Sequence, residues 1–303
     1  LQEHRVTATG KKDRNWITIV LFLLPVGLLY GVFFLYPIGF LLVASLAEWN
    51  GIQPMVFSGL SNFAGLFTDS VFQISIKNNV IWALSAAFLQ VFVALSIALI
   101  LARKPRGWRF FRNVFFLPNV ISAVALSMMW IAMYNSEFGL INHLLIRLGL
   151  EKMTHNWLGE IKTALPAVIF SHLIYVGYFM LIILAGAMSL PGSFFEAAQM
   201  DGANVFQQEI YITLPAIRGT LLTTVTLSVA FSLRQFEETY IMTNGGPANS
   251  TPVMGLVMYK KMAGLHYGQA AAIGVILIVL GILIVGGLQM LFGRSDAVQE
   301  SRQ

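Results

Sequence analysis

Three groups of side chains in this sequence have types and spacings that could do chemistry. Ser171, Tyr175 and Tyr178 recur at i, i+4 and i+7, with His172 beside them, and Ser228, Ser232 and Gln235 repeat the same interval. On helices each trio forms one face able to donate and accept hydrogen bonds, and the tyrosines add ring faces for stacking. Arg234 stands three and four residues before Glu237 and Glu238, a spacing that pairs them on a helix. Two uses remain open for these residues: bonding between packed helices, or the lining of a polar pathway. His172 has no second histidine or carboxylate at ligand spacing, which argues against a metal.

Other chemistry is closed. The 303 residues contain no cysteine, so disulfides, thiolate metal sites and cysteine nucleophiles are excluded. There is no GxxxxGK[ST] loop to cradle nucleotide phosphates, no HExxH, and no carboxylate pair of general acid–base type. The chain alone is therefore expected to be no enzyme and to hold no cofactor.

The elements that position these residues follow from composition. Only 11% of residues are charged and 57% are hydrophobic, against roughly a quarter charged in soluble domains. Six apolar runs approach the roughly 20 residues needed to cross a bilayer. They are 16–46, 78–102, 112–134, 164–188, 216–242 and 270–292. The predicted fold is an all-α membrane protein of six transmembrane helices. Pro25 and Pro37 predict a bend in the first span. That run is also too long for the apolar core of a signal peptide, about 7–15 residues, and is expected to be retained. Gly274, Gly281, Gly286 and Gly287 predict close helix packing in the last span.

Lys and Arg divide twelve to six between alternate connections, with the richer set on the side of both termini. The positive-inside rule then places residues 1–15 and 294–303 on the cytoplasmic side of the membrane. Arg103, Lys104, Arg106, Arg109 and Arg112 supply much of the bias, as an anchor at anionic lipid, and nucleic acid is not an expected partner. Outside, Leu140, Ile141, Leu144, Leu145 and Leu148 predict a short interfacial helix opposite Asn142, His143 and Arg147.

Residues 189–219 are too patterned for a linker. Ser193 with Glu196 predicts a capping box and Asn204 with Gln207 a second cap; Gly202 permits the left-handed turn between two helices, and Pro215 predicts an end near Leu214. Phe194, Phe195, Val205 and Phe206 are apolar anchors beside the small Ala197, Ala198 and Ala203.

The run Glu196-Ala197-Ala198, three residues, Gly202, nine residues, Ile212, one residue, Leu214-Pro215 resembles the EAA loop of permease subunits from binding-protein-dependent ABC importers. The wording EAAQMDGA and YITLPAI, the stretch 115–145, TNGGPANST (243–251) and YGQAAAIG (267–274) resemble the maltose-permease subfamily. The resemblance implies a permease domain over 16–293 and a coupling loop at 189–215, a cytoplasmic helix-turn-helix carrying Glu196, Ala197, Ala198, Asp201, Gly202 and Ala203. It implies a second permease, a dimer of cytoplasmic ATPase subunits that bind ATP and Mg²⁺, and a solute-binding protein outside. Gln199, Met200 and Glu209 depart from the family's usual residues. The implied cargo is an oligosaccharide or related polyol, whose hydroxyl edges and ring faces suit the Ser, Tyr and Gln stripes. Arg234 lining the path would suit an acidic sugar such as an alginate oligosaccharide. A six-helix secondary transporter or channel is the rival reading, which leaves the capped loop unexplained.

Overall fold

The computed structural model describes the backbone of residues 10–300 and the side chains of residue 16 and residues 18–290. The cytoplasmic placement of residues 1–9 and 301–303 lies outside the described residues. Among those described, four continuous helices are long and apolar enough to span a membrane: Thr18–Ser45, Ser70–Ala102, Ile161–Met188 and Tyr267–Met290. Two further spans are bent pairs, Trp108–Val120 with Ala123–Met133 at 99° and Val205–Ala216 with Arg218–Leu233 at 73°, making six if each pair is one span.

The third and fifth spans thus differ from the single helices expected. In the third, a 3-10 turn at Leu117–Val120 contains Pro118, which has no N–H to give, and Ile121 and Ser122 are extended at ψ 142° and 134°. In the fifth, Ile217 breaks the helix at one end, and Phe236 at φ −151° separates Leu233 from the short helix Glu237–Met242. Hydrophobicity alone carried the predicted fifth span to residue 242, through a break that Arg234 and Gln235 occupy.

The first span runs through both of its prolines as one continuous helix, Thr18–Ser45. Pro25 lies inside an unbroken helical segment, Gly10–Tyr30. Before Pro37 the chain widens into a π turn, Gly31–Leu35, where Tyr36 N–H reaches back five residues to Gly31 O. The same device precedes Pro215: Glu209–Thr213 is a π turn, Leu214 N–H bonds Glu209 O, and the helix runs on to Ala216 instead of ending near Leu214. A wide turn shifts the hydrogen-bond register where proline supplies no donor, so the helix continues.

The second span begins at Ser70, eight residues before the predicted start, because Asp69 caps it. Its carboxylate accepts from Val71 N–H at 2.9 Å and from Lys261 Nζ at 2.9 Å, which ties the span to the helix Met254–Ala263. Asn78 and Asn79, at the start of the expected run 78–102, are buried.

The second and fourth spans form the tightest contact, with Val91, Ala94, Ala98 and Leu101 packed on Val176, Met180, Ile183 and Leu184. Ala94 and Ala98 are fully buried, and their small side chains let the helices approach closely. The first span, by contrast, presents Leu21, Phe22, Val26 and Phe33 outward, as a lipid-facing helix does. Of the glycines expected at close contacts in the last span, Gly274 lies against Leu41, whereas Gly281, Gly286 and Gly287 face open space. The expected short helix is present as Leu140–Arg147, but its polar Asn142 is the buried side: it accepts from Trp157 Nε1 at 2.8 Å and donates to His155 O at 2.9 Å.

Two outcomes follow. Ala98→Leu should overpack the contact between the second and fourth spans and destabilise by about 1–3 kcal/mol; an unchanged melting temperature in detergent would contradict that packing. Burial raises the Asp69 carboxyl pKa, but the bonds from Lys261 and from Val71 and Phe72 N–H outweigh it and hold the carboxyl below its usual value. A carboxyl lowered in the folded state contributes stability that is full above about pH 4 and fades as pH falls through the folded value. Asp69→Ala should cost about 0.5–2 kcal/mol at neutral pH and flatten the acid limb of the melting curve, measured by thermal unfolding from pH 7 to 3.

Candidate functional site

The interruptions of three spans meet. The fourth span changes from α-helix to a 3-10 turn at Leu173–Tyr175, one turn from Ser171. Gly177 faces the break in the third span so closely that a Cβ there would lie 2.2 Å from Phe115 O. The end of the fifth span at Leu233 completes the junction. Between these breaks opens a cleft of about 460 Å³ bordered by His172, Tyr175, Phe231, Arg234 and Gln235, with Asn119, Ile121, Phe236, Glu237 and Glu238.

The expected stripes divide at this cleft. Ser171, Ser228 and Ser232 are buried, and their hydroxyls bond the backbone of their own helices, to Val168 O at 2.7 Å, Val225 O at 2.9 Å and Val229 O at 2.7 Å. They do not line the cleft, because a helical serine reaches its own preceding turn more readily than a neighbour. Tyr178 lies outside it, packed beside Phe231 and Phe179. Gln235 is past the helix end, so the Ser228–Ser232–Gln235 stripe is not one helical face.

The predicted pairing of Arg234 with its glutamates is replaced as well. Glu238 instead accepts from Gln235 Nε2 and lies 3.0 Å from His172 Nδ1. His172 in turn meets the buried Trp82 edge-on at 5.2 Å. Arg234 makes no ion pair among the described residues; it is exposed and borders the cleft, as does Glu237. The Tyr175 hydroxyl is buried and has no hydrogen-bond partner among the described residues. The cleft thus offers a guanidinium, a carboxylate and amides beside the aromatic side chains of Tyr175, Phe231 and Phe236, an arrangement that can hold a hydroxylated ligand without reacting with it. Asn119, Phe231 and Phe236 were missed in sequence; Pro118 was the available sign that Asn119 sits at a break.

Among the described residues, no cluster of three or more His, Cys, Asp or Glu is arranged to hold a metal.

The second candidate region is residues 189–215. Its first helix runs Gly192–Met200 with Pro191 at the N-cap, so Ser193 falls inside the first turn and the expected Ser193–Glu196 box is not formed. Gly202 takes the left-handed conformation, φ +79°, and the Asn204–Gln207 capping box is complete, at 2.9 and 2.8 Å. Glu196, Ala197, Asp201 and Gly202 are exposed and Ala198 and Ala203 are half-buried. Around them Phe194, Met200, Phe206 and Tyr211 project outward, with Met200 89% exposed. So large an unpaired apolar surface on one short unit marks an interaction site.

The unit is held to the second span by one cation. Arg103 contacts Glu209 through Nε at 2.8 Å and Nη2 at 2.7 Å, and Nη2 also donates to Val205 O at 3.3 Å. Gln208, buried beside it, donates to Ala203 O. Glu209, one of the departures from the family pattern, is therefore matched by a partner at the end of the second span.

Comparison with known proteins agrees with this geometry. The family model described as binding-protein-dependent transport system inner membrane component matches residues 90–295. The chain is 36% identical over 280 residues to the probable ABC transporter permease protein YurN of Bacillus subtilis, covering 90% of this chain and 96% of that one. It is 33% identical to the diacetylchitobiose uptake system permease protein NgcF of Streptomyces coelicolor, over 82% of this chain and 74% of the relative. With the trehalose/maltose transport system permease protein MalF of Thermococcus litoralis it shares 29% identity over 86% and 88%. In fold it matches a chain of a bacterial alginate ABC transporter solved with an alginate pentasaccharide-bound periplasmic protein, at TM-score 0.80 and 23% identity over 93% of this chain and 96% of that one. With its interrupted spans and its protruding capped loop, the chain belongs to the family of inner membrane components of binding-protein-dependent transport systems.

Proposed function

We propose that this chain is the pathway subunit of an ATP-driven importer, and that its cleft passes an oligosaccharide or polyol delivered by a solute-binding protein. The cleft at the junction of the broken spans carries the reading: polar groups within spans are costly unless they line a route, and here they gather around aromatic faces. The named relatives' sugars, among them diacetylchitobiose, trehalose and maltose, support the substrate class. His172 and Gln235 hold Glu238, which leaves Arg234 and Glu237 for the cargo, with the Tyr175 side chain bordering the same cleft.

Residues 189–215 are the proposed coupling loop, with Glu196, Ala197, Ala198, Asp201, Gly202 and Ala203 at its centre. Partner ATPase subunits, binding ATP and Mg²⁺, would grip the exposed Phe194, Met200, Phe206 and Tyr211. A second permease completes the route. Both termini and the coupling loop then lie in the cytoplasm, with the outer connections at 47–77, 135–163 and 243–269 facing the binding protein. Movement of the loop reaches the second span through Arg103 and Glu209.

A second reading concerns the charge of the cargo. The unpaired guanidinium of Arg234 favours an acidic sugar, as in the alginate transporter whose fold this chain shares. Glu237 opposes it from the same cleft.

The cargo reading is tested by uptake in the reconstituted transporter. Tyr175→Ala and Gln235→Ala should raise KM several-fold with ATPase assembly intact; wild-type uptake in both would reject the cleft as the route. Arg234→Gln should impair acidic sugars selectively if charge is read, and acidic and neutral sugars alike if it is not. Gly202→Pro removes the left-handed turn and should abolish sugar-stimulated ATP hydrolysis. Arg103→Ala should weaken that stimulation, with Arg103→Lys recovering part of it; stimulation unchanged in Gly202→Pro would sink the coupling assignment.

A further inference from the structure

The outer loop between Glu237–Met242 and Met254–Ala263 is more firmly built than a connector requires. Thr251, fully buried, contacts Thr243 Oγ1 at 2.7 Å and donates to Gly246 O at 2.8 Å, and Lys260 Nζ holds Asn244 O at 2.7 Å. Asn244, Ala248 and Asn249 stand exposed at its tip, all with positive φ, of 48°, 47° and 56°. Non-glycine residues adopt that conformation only when their surroundings fix it.

Two adjacent side chains of the second span supply part of that fixing. Asn78, 3% exposed, donates through Nδ2 to Ser250 O at 2.9 Å and to Pro252 O at 2.8 Å. Asn79, 1% exposed, joins two segments: its Oδ1 accepts from Met254 N–H at 2.7 Å, and its Nδ2 donates to Leu233 O at 3.4 Å. Leu233 is the last residue of the fifth-span helix, and Arg234, Gln235 and Glu238, which border the cleft, follow directly. A second contact runs in parallel. A Cβ on Gly255 would lie 2.9 Å from Gln235 O, so the base of the loop touches the cleft wall backbone to backbone.

We propose that Asn79 is a positioning residue for transport, linking the outer loop to the wall of the cleft so that a partner pressing on the loop tip shifts Arg234, Gln235 and Glu238. The loop, the asparagine and the cleft wall form one short chain of buried hydrogen bonds, with Gly255 as its packing counterpart. This rests on the importer reading above, with the solute-binding protein as the partner that meets Asn244, Ala248 and Asn249. An effector binding at the tip changes the cleft only if it favours one arrangement of this chain over another.

The experiment uses the full transporter in proteoliposomes, with its ATPase pair, second permease, binding protein and sugar. It compares basal ATPase, ATPase with the binding protein, and the KM and kcat of uptake. In Asn79→Ala, basal ATPase should stay at the wild-type level while stimulation by the binding protein falls about fivefold or more, the range of ordinary coupling between sites. Gly255→Ala keeps both Asn79 bonds but pushes on the Gln235 carbonyl, and should raise KM for the sugar at unchanged basal ATPase. Should Asn79→Ala fail to assemble, Gly255→Ala decides: a changed KM supports the link and a wild-type KM overturns it. Wild-type stimulation in Asn79→Ala, or basal and stimulated rates falling by one common factor, would overturn it too. Wild-type transporter that the binding protein does not stimulate would overturn the importer reading itself, and this inference with it.

Discussion

Lipid offers no hydrogen bonds, so every backbone group freed by an interrupted span has to be satisfied inside the protein, and this constraint orders the whole structure. Where proline removes a donor, π turns at Gly31–Leu35 and Glu209–Thr213 shift the register and keep the helix going. Where a helix truly ends, a side chain steps in, as Asn79 does at the Leu233 carbonyl. Interruptions so supported are tolerable only next to protein or a cavity. The breaks at Leu117–Val120 in the third span, at Leu173–Tyr175 in the fourth and after Leu233 in the fifth border one cleft, whereas the bend at Ile217 does not.

The scarce charge follows the same economy. Asp69 with Lys261 fixes the start of the second span, Arg103 with Glu209 fixes its other end to the coupling unit, and Glu238 with His172 lies in the cleft between. The second span is thus tied at its ends and, through Asn78 and Asn79, along its length. A helix held in this way suits a body that moves as a unit between the coupling loop and the outer loop, which is the motion an importer requires.

Much of this was legible in sequence, for identifiable reasons. Span count, the capped loop, the turn at Gly202 and the Asn204–Gln207 box depend on local pattern, and local pattern is what a sequence displays. The Ser193–Glu196 box failed because Pro191 took the cap position first. The serine stripes failed because spacing gives a face but not what the face bonds to, and Ser171, Ser228 and Ser232 bond their own helices. The helical pairing of Arg234 failed with the helix, whose end at Leu233 is fixed by Asn79 from 154 residues away in sequence. His172, Tyr175 and Gln235 border the cleft. Asn119 and Phe236 come to it only through breaks that hydrophobicity does not reveal.

The central claim is that the cleft at the broken spans is the route of transport, opened alternately to the two sides of the membrane. The absence of native cysteine makes one measurement direct. Ile121→Cys places a single thiol at the edge of the cleft, and its reaction with a membrane-impermeant reagent can be timed from each side of the assembled transporter. The predicted result is labelling from the cytoplasmic side at rest that moves to the outer side when ATP and the loaded binding protein are present. Labelling at the same rate from the same side in both conditions would contradict the account.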